Sequence, residues 1–67
     1  MNQDQALKIA NYITQANYGS FASALAYAYL LADQDNRAKL LQAFLDLFQR
    51  VEQDMVTYAE FIASQEA

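Results

Sequence analysis

The 28 residues from Asn36 to Ala63, NRAKLLQAFLDLFQRVEQDMVTYAEFIA, contain neither Pro nor Gly. Leu41, Phe44, Phe48, Val51, Met55, Tyr58 and Ile62 succeed one another at alternating spacings of three and four. That is the a/d pattern of a helix with one apolar seam, held over three heptads. Gln42, Asp46, Gln49, Arg50, Gln53, Thr57 and Glu60 occupy the opposite face. Asp46 and Arg50 are spaced as a favourable i,i+4 pair, which adds only a few tenths of a kcal/mol. The stretch reads as one helix over about 36–63, about 42 Å long at 1.5 Å per residue. Leu40, Leu45 and Leu47 widen its stripe in the first half, whereas Glu52 and Asp54 narrow it beyond Val51 until Phe61 broadens it again.

Upstream, Asp33-Gln-Asp-Asn36 supplies a turn in which either aspartate can cap the long helix. The Asp33-x-Asp35 spacing also opens a calcium-loop pattern, but that pattern fails at its sixth and twelfth positions, Ala38 and Phe44. Before the turn, Phe-Ala-Ser-Ala-Leu-Ala-Tyr-Ala-Tyr-Leu-Leu-Ala predicts a second helix over about 21–32 with no polar face. Tyr27 and Tyr29 project about 200° apart on it, so one bundle face does not hide both. One tyrosine is then core and the other a half-exposed ring, or the outer side lies in an interface, where tyrosine is enriched. A first helix is predicted over about 3–17. Asn2 and Gln5 resemble a capping box, and Ala6, Ile9, Ile13 and Ala16 form its apolar stripe. Asn17-Tyr18-Gly19 supplies the stop, and Ser20 can cap the second helix.

The expected fold is therefore all-α, a single domain over 1–67, with two short helices packed on a long third. Two helices of about 20 Å each cover only half of a 42 Å partner. Met55, Tyr58, Phe61 and Ile62 are left bare, and a bare seam on a small protein marks an association site. Folding 67 residues brings burial and ordering close to balance, so association is the natural remedy. The bundle is accordingly expected to be completed by dimerisation. The expected oligomer or partner interface comprises Tyr27, Tyr29, Val51, Met55, Tyr58, Phe61 and Ile62.

Composition removes most chemistry. With no Cys and no His there is no thiolate nucleophile, no imidazole base, no disulfide and no ordinary zinc site. One Gly cannot build a phosphate-cradling loop. Asp54, Glu60 and Glu52 lie near one another, but catalysis needs a pocket to shift their pKa values, so no enzyme activity, cofactor or metal is expected. Four basic residues against eight acids argue against direct nucleic-acid binding. The opposite sign permits an acidic nucleic-acid mimic built from Asp33, Asp35, Asp46, Glu52, Asp54, Glu60 and Glu66. The longest strongly apolar stretch, Phe21 to Ala32, has 12 residues, short of the ~20 a membrane span needs. Met-Asn-Gln-Asp lacks the features of a signal peptide, so a cytoplasmic protein is expected.

Tyr29-Leu-Leu-Ala-Asp33, Asn36-Arg37 and Leu40-Leu41-x-Ala43-Phe44-x-x-Leu47-Phe48, preceded by Gly19-Ser-Phe21, resemble small uncharacterised helical proteins encoded by bacteriophages. The resemblance covers residues 19–48 and brings no catalytic motif. It implies a bacterial host cell, a bacterial host or defence protein as partner, and a role as inhibitor or regulator. The expected function is a protein–protein interaction module acting as a homo-oligomer without catalysis. The alternatives are the acidic mimic and a purely structural assembly protein.

Overall fold

A computed structural model describes residues 1–66, with Glu66 described by its backbone alone. Within these residues there are four helices and no strand: α1 (Gln3–Gln15), α2 (Ser20–Leu31), α3 (Gln34–Ala43) and α4 (Leu45–Glu66). The all-α class read from the sequence holds. The three-helix architecture does not, because the predicted helix over 36–63 is two helices joined at Phe44.

The first turn of α1 is fixed as its sequence suggests. The Asn2 side chain accepts from the Gln5 amide at 2.8 Å, and the Gln5 side chain accepts from the Asn2 amide at 3.3 Å. This reciprocal pair satisfies amides that a helix start otherwise leaves unbonded. The chain leaves α1 through Ala16 in an extended conformation. Gly19 then serves as the N-cap of α2, with φ 93° and ψ 166°, a region that only glycine enters without strain. Ser20, expected as the cap, is the first helical residue instead.

α1 and α2 form the closest pairing in the molecule. Ala6 and Ala10 on α1, and Ala22 and Ala26 on α2, are all buried, and their short side chains allow a close interhelical approach. Ile9, Ile13, Tyr29, Phe48 and Val51 fill the remaining core volume. No residue of α3 is fully buried. No helix among the described residues is long and apolar enough to cross a membrane.

The bend at Phe44 has a tertiary cause. Only Ala32 and Asp33 separate α2 from α3, and Asp33 caps α3 by accepting from the Asn36 amide at 2.9 Å. Arg37 then reaches back, donating to the carbonyls of Tyr29 and Leu30 at 3.0 and 2.9 Å. Both lie in the last turn of α2, where regular intrahelical donors run out; the Tyr29 carbonyl also accepts from the Ala32 amide at 3.3 Å. With α3 tied there, Phe48 and Val51 reach the α1–α2 core only if the chain turns. Phe44 adopts φ −121° and ψ 31°, packed edge-on to Phe21 at 5.7 Å between ring centroids. Drawn straight, the 33 residues from Gln34 to Glu66 would span about 50 Å, longer than the molecule's greatest dimension of 43 Å.

The conformation at Gly19 gives a direct test. Space around it is open, with no heavy atom other than its own and those of its two chain neighbours within 4 Å of where a Cβ would stand. Gly19→Ala should nevertheless cost about 1–3 kcal/mol through backbone strain alone, read as a lower midpoint in urea unfolding. An unchanged midpoint would show that the α1–α2 turn relaxes freely.

Candidate interaction surface

The residues expected at an interface separate into two groups. Tyr29 and Val51 are fully buried inside the single chain. They belong to its core, and the structure corrects their placement on an association surface. Tyr29 stacks at a tilt on Phe48, 5.3 Å between centroids, and its ring lies 5.6 Å from the Arg37 guanidinium carbon. Tyr27 points the other way and is 55% exposed.

The far end of α4 is bare, as its sequence suggests. Every residue from Val56 to Glu60, and Phe61 after them, is exposed, with Tyr58 and Phe61 more than half accessible. Met55 and Ile62, expected to be bare with them, are not: Ile62 is half-buried and Met55 packs against the core beside Ile9 of α1. The surface area of the chain, 4723 Å², exceeds the about 4,300 Å² that scaling gives for a compact monomer of this mass. A helix end projecting beyond its bundle accounts for an excess of that sign.

A second apolar face lies on α2, and the sequence reading missed its members Phe21 and Leu31. Leu31 is 86% exposed and Phe21 66%. The signal was present: Ala22, Leu25, Ala26 and Tyr29 make one helical stripe, and Phe21, Ala24, Ala28 and Leu31 make another facing away. Val56 was missed too, because it stands off the heptad seam.

The acidic residues stand in different surroundings. Asp33 is engaged as the α3 cap, and Asp54 accepts a 2.8 Å hydrogen bond from the Tyr18 hydroxyl. Glu52 is half-buried in an open groove of about 240 Å³ shared with Gln5, Lys8, Ile9, Met55 and Val56. Asp35, Asp46 and Glu60 are exposed, and Asp46 and Glu60 stand about 21 Å apart along α4. Glu66 was also assigned to this surface, but its side chain lies outside the described residues. A larger open groove of about 410 Å³, between the start of α1 and Ala38, Leu41, Gln42 and Leu45, holds no acidic or basic side chain. Among the described residues, no three His, Cys, Asp or Glu side chains are grouped to hold a metal.

Two tyrosines are electrostatically displaced. Burial, the Asp54 hydrogen bond and the nearby Asp54 charge push the Tyr18 hydroxyl from 10.0 up to about 12. Its ring also leans on Tyr12, at 6.2 Å between centroids. Burial raises the Tyr29 hydroxyl as well, opposed by the charge of Arg37. That hydroxyl is enclosed without a hydrogen-bond partner.

Comparison with protein-family models, with curated proteins and with solved structures finds no match to this chain.

The two hydroxyls act on stability in opposite directions. Tyr29→Phe removes an unpaired buried hydroxyl and keeps the ring, so it should raise stability by about 1 kcal/mol. A loss on thermal unfolding would show the hydroxyl to be bonded. For Tyr18 the folded pKa lies above the unfolded one, so its contribution is complete below pH 10 and disappears as pH rises towards about 12. Tyr18→Phe should therefore flatten the fall in melting temperature across that window relative to the unsubstituted chain. Equal slopes would mean that the Asp54 bond is absent in solution.

Proposed function

We propose that the chain is a protein–protein interaction module that self-associates, as a dimer, through the projecting end of α4. The observation that carries this reading is the exposed run from Val56 to Phe61, which holds Val56, Tyr58 and Phe61 outside the core that their own chain provides. A second copy is the fitting occupant because the heptad period continues into this end, and such a seam suits a like helix. Aromatic side chains are also what protein interfaces favour. The near balance of burial and ordering in a chain of 67 residues gives association an energetic reason.

The module acts by contact, without catalysis. The resemblance of residues 19–48 to phage-encoded proteins supports a finer reading, inhibition or regulation of a bacterial protein in the host cytoplasm. The α2 face with Tyr27 and Leu31 remains available for that second contact.

Light scattering should give at least twice the 7.6 kDa chain mass. Tyr58→Asp should lower that mass to the monomer's while leaving a helical circular dichroism spectrum, because Tyr58 is 57% exposed within the chain. Gln53→Asp, also exposed, should leave the mass unchanged. A monomeric wild type at ~100 μM, where mass action favours any specific dimer of ordinary strength, would overturn the reading.

A further inference from the structure

We propose that Phe44 is a hinge, and that the chain has a second state in which α3 and α4 run on as one helix and α4 packs on the α1–α2 pair of another copy. Sharp helix kinks have a short list of local causes: Pro, Gly/Ser pairs, an extra residue in a turn, or a group inserted in the hydrogen-bond ladder. Ala43-Phe44-Leu45 offers no Pro, Gly or Ser, and none of the 33 residues from Gln34 to Glu66 is Pro or Gly. The ladder nonetheless shifts at this point. Leu47 donates three residues back to the Phe44 carbonyl at 3.1 Å, and Phe48 donates to the same oxygen at 3.2 Å. Local sequence favours a straight helix here, and tertiary contacts oppose it.

Phe44 is half-buried against the core and meets edge-on the ring of Phe21, itself mostly exposed. The stronger requirement is that Phe48 and Val51 stay buried, and it does not specify whose core they enter. The α1–α2 pair of a second copy offers an identical site. In the exchanged dimer the Arg37 bonds to Tyr29 and Leu30 stay within one chain, because both lie before the hinge. The Tyr29–Phe48 stack and the Tyr18–Asp54 hydrogen bond re-form between chains. Exchange of an identical element is a low-cost route to a dimer, since it recreates the core contacts that it breaks and gives up only those at the bend, Phe21–Phe44 among them. It depends on Phe48 and Val51, whereas the contact proposed above depends on Tyr58 and Phe61, so the two stand separately.

Lys8 on α1 and Glu52 on α4 line the same groove, and the chain has no native cysteine. Lys8→Cys chains carrying a donor dye and Glu52→Cys chains carrying an acceptor are unfolded together, refolded, and separated by size. Energy transfer in the mixed dimer should match that of a single chain carrying both labels. Phe21→Ala, which frees Phe44, should raise the dimer's association constant several-fold. Ala43→Gly, at an exposed position, should lower it several-fold by penalising the straight helix. A dimer without this transfer overturns the exchange and leaves the α4-end reading intact. A dimer that persists in Tyr58→Asp with full transfer supports the exchange and removes that reading. Monomers in the wild type and in Phe21→Ala alike overturn both.

Discussion

Arg37 holds the end of α2 and the start of α3 together, and the path of the rest of the chain depends on that grip. Its guanidinium supplies two donors to the Tyr29 and Leu30 carbonyls in the last turn of α2, adding to the Ala32 amide that already reaches the Tyr29 carbonyl. Hydrogen bonds from a charged donor are the stronger kind, and the flat group also approaches the Tyr29 ring. A lysine has one point of charge and no fork, so it could not span two successive carbonyls in the same way. Once α3 starts there, Phe48 and Val51 can join the core only after a change of direction. The chain makes that turn at Phe44.

The turn marks what kind of structure the sequence makes legible and what kind it does not. Asn2, Gln5 and Asp33 act through contacts three residues away, and such local geometry is written in the order of residues. The inward stripe of α1 can also be read from spacing alone, whereas Val51, on the same seam as Phe48, is expected at an interface and proves to be core. The bend leaves no such trace, because a heptad pattern reports which side of a helix is apolar and says nothing about its axis direction. Leu41 and Phe44 keep the seam on one side of the joint and Phe48 on the other, so periodicity runs through the bend unbroken. The bare end at Tyr58 and Phe61 was legible because length is additive along a helix. Tyr29 and Tyr27 were not separable from sequence. Apart from Ser23, α2 is apolar around both rings, and the position of α1 decides which ring is enclosed.

The two displaced tyrosines show different solutions to the burial of a phenol. Tyr18 sits at the rim, and its hydroxyl meets Asp54, so the ring packs on Tyr12 while the polar end is bonded. Tyr29 spans the space between α2 and α4, two helices that do not approach each other closely through their backbones. Its length lets it meet Phe48 across that gap. The consequence is an enclosed hydroxyl with no partner, a cost that aromatic packing has to exceed.

Where the core ends determines what the surface offers. α1 is the shared element, packed against α2 on one side and α4 on the other, and it is 13 residues long against 22 for α4. The excess of α4 therefore has no intramolecular partner to lie on, whatever its side chains. Had those residues been polar, the projection would be an ordinary solvated helix end. Val56, Tyr58 and Phe61 instead continue the apolar character of the half that is buried. One helix thus supplies core at its start and bare apolar surface at its end, and burial of the first half fixes the orientation in which the second is presented.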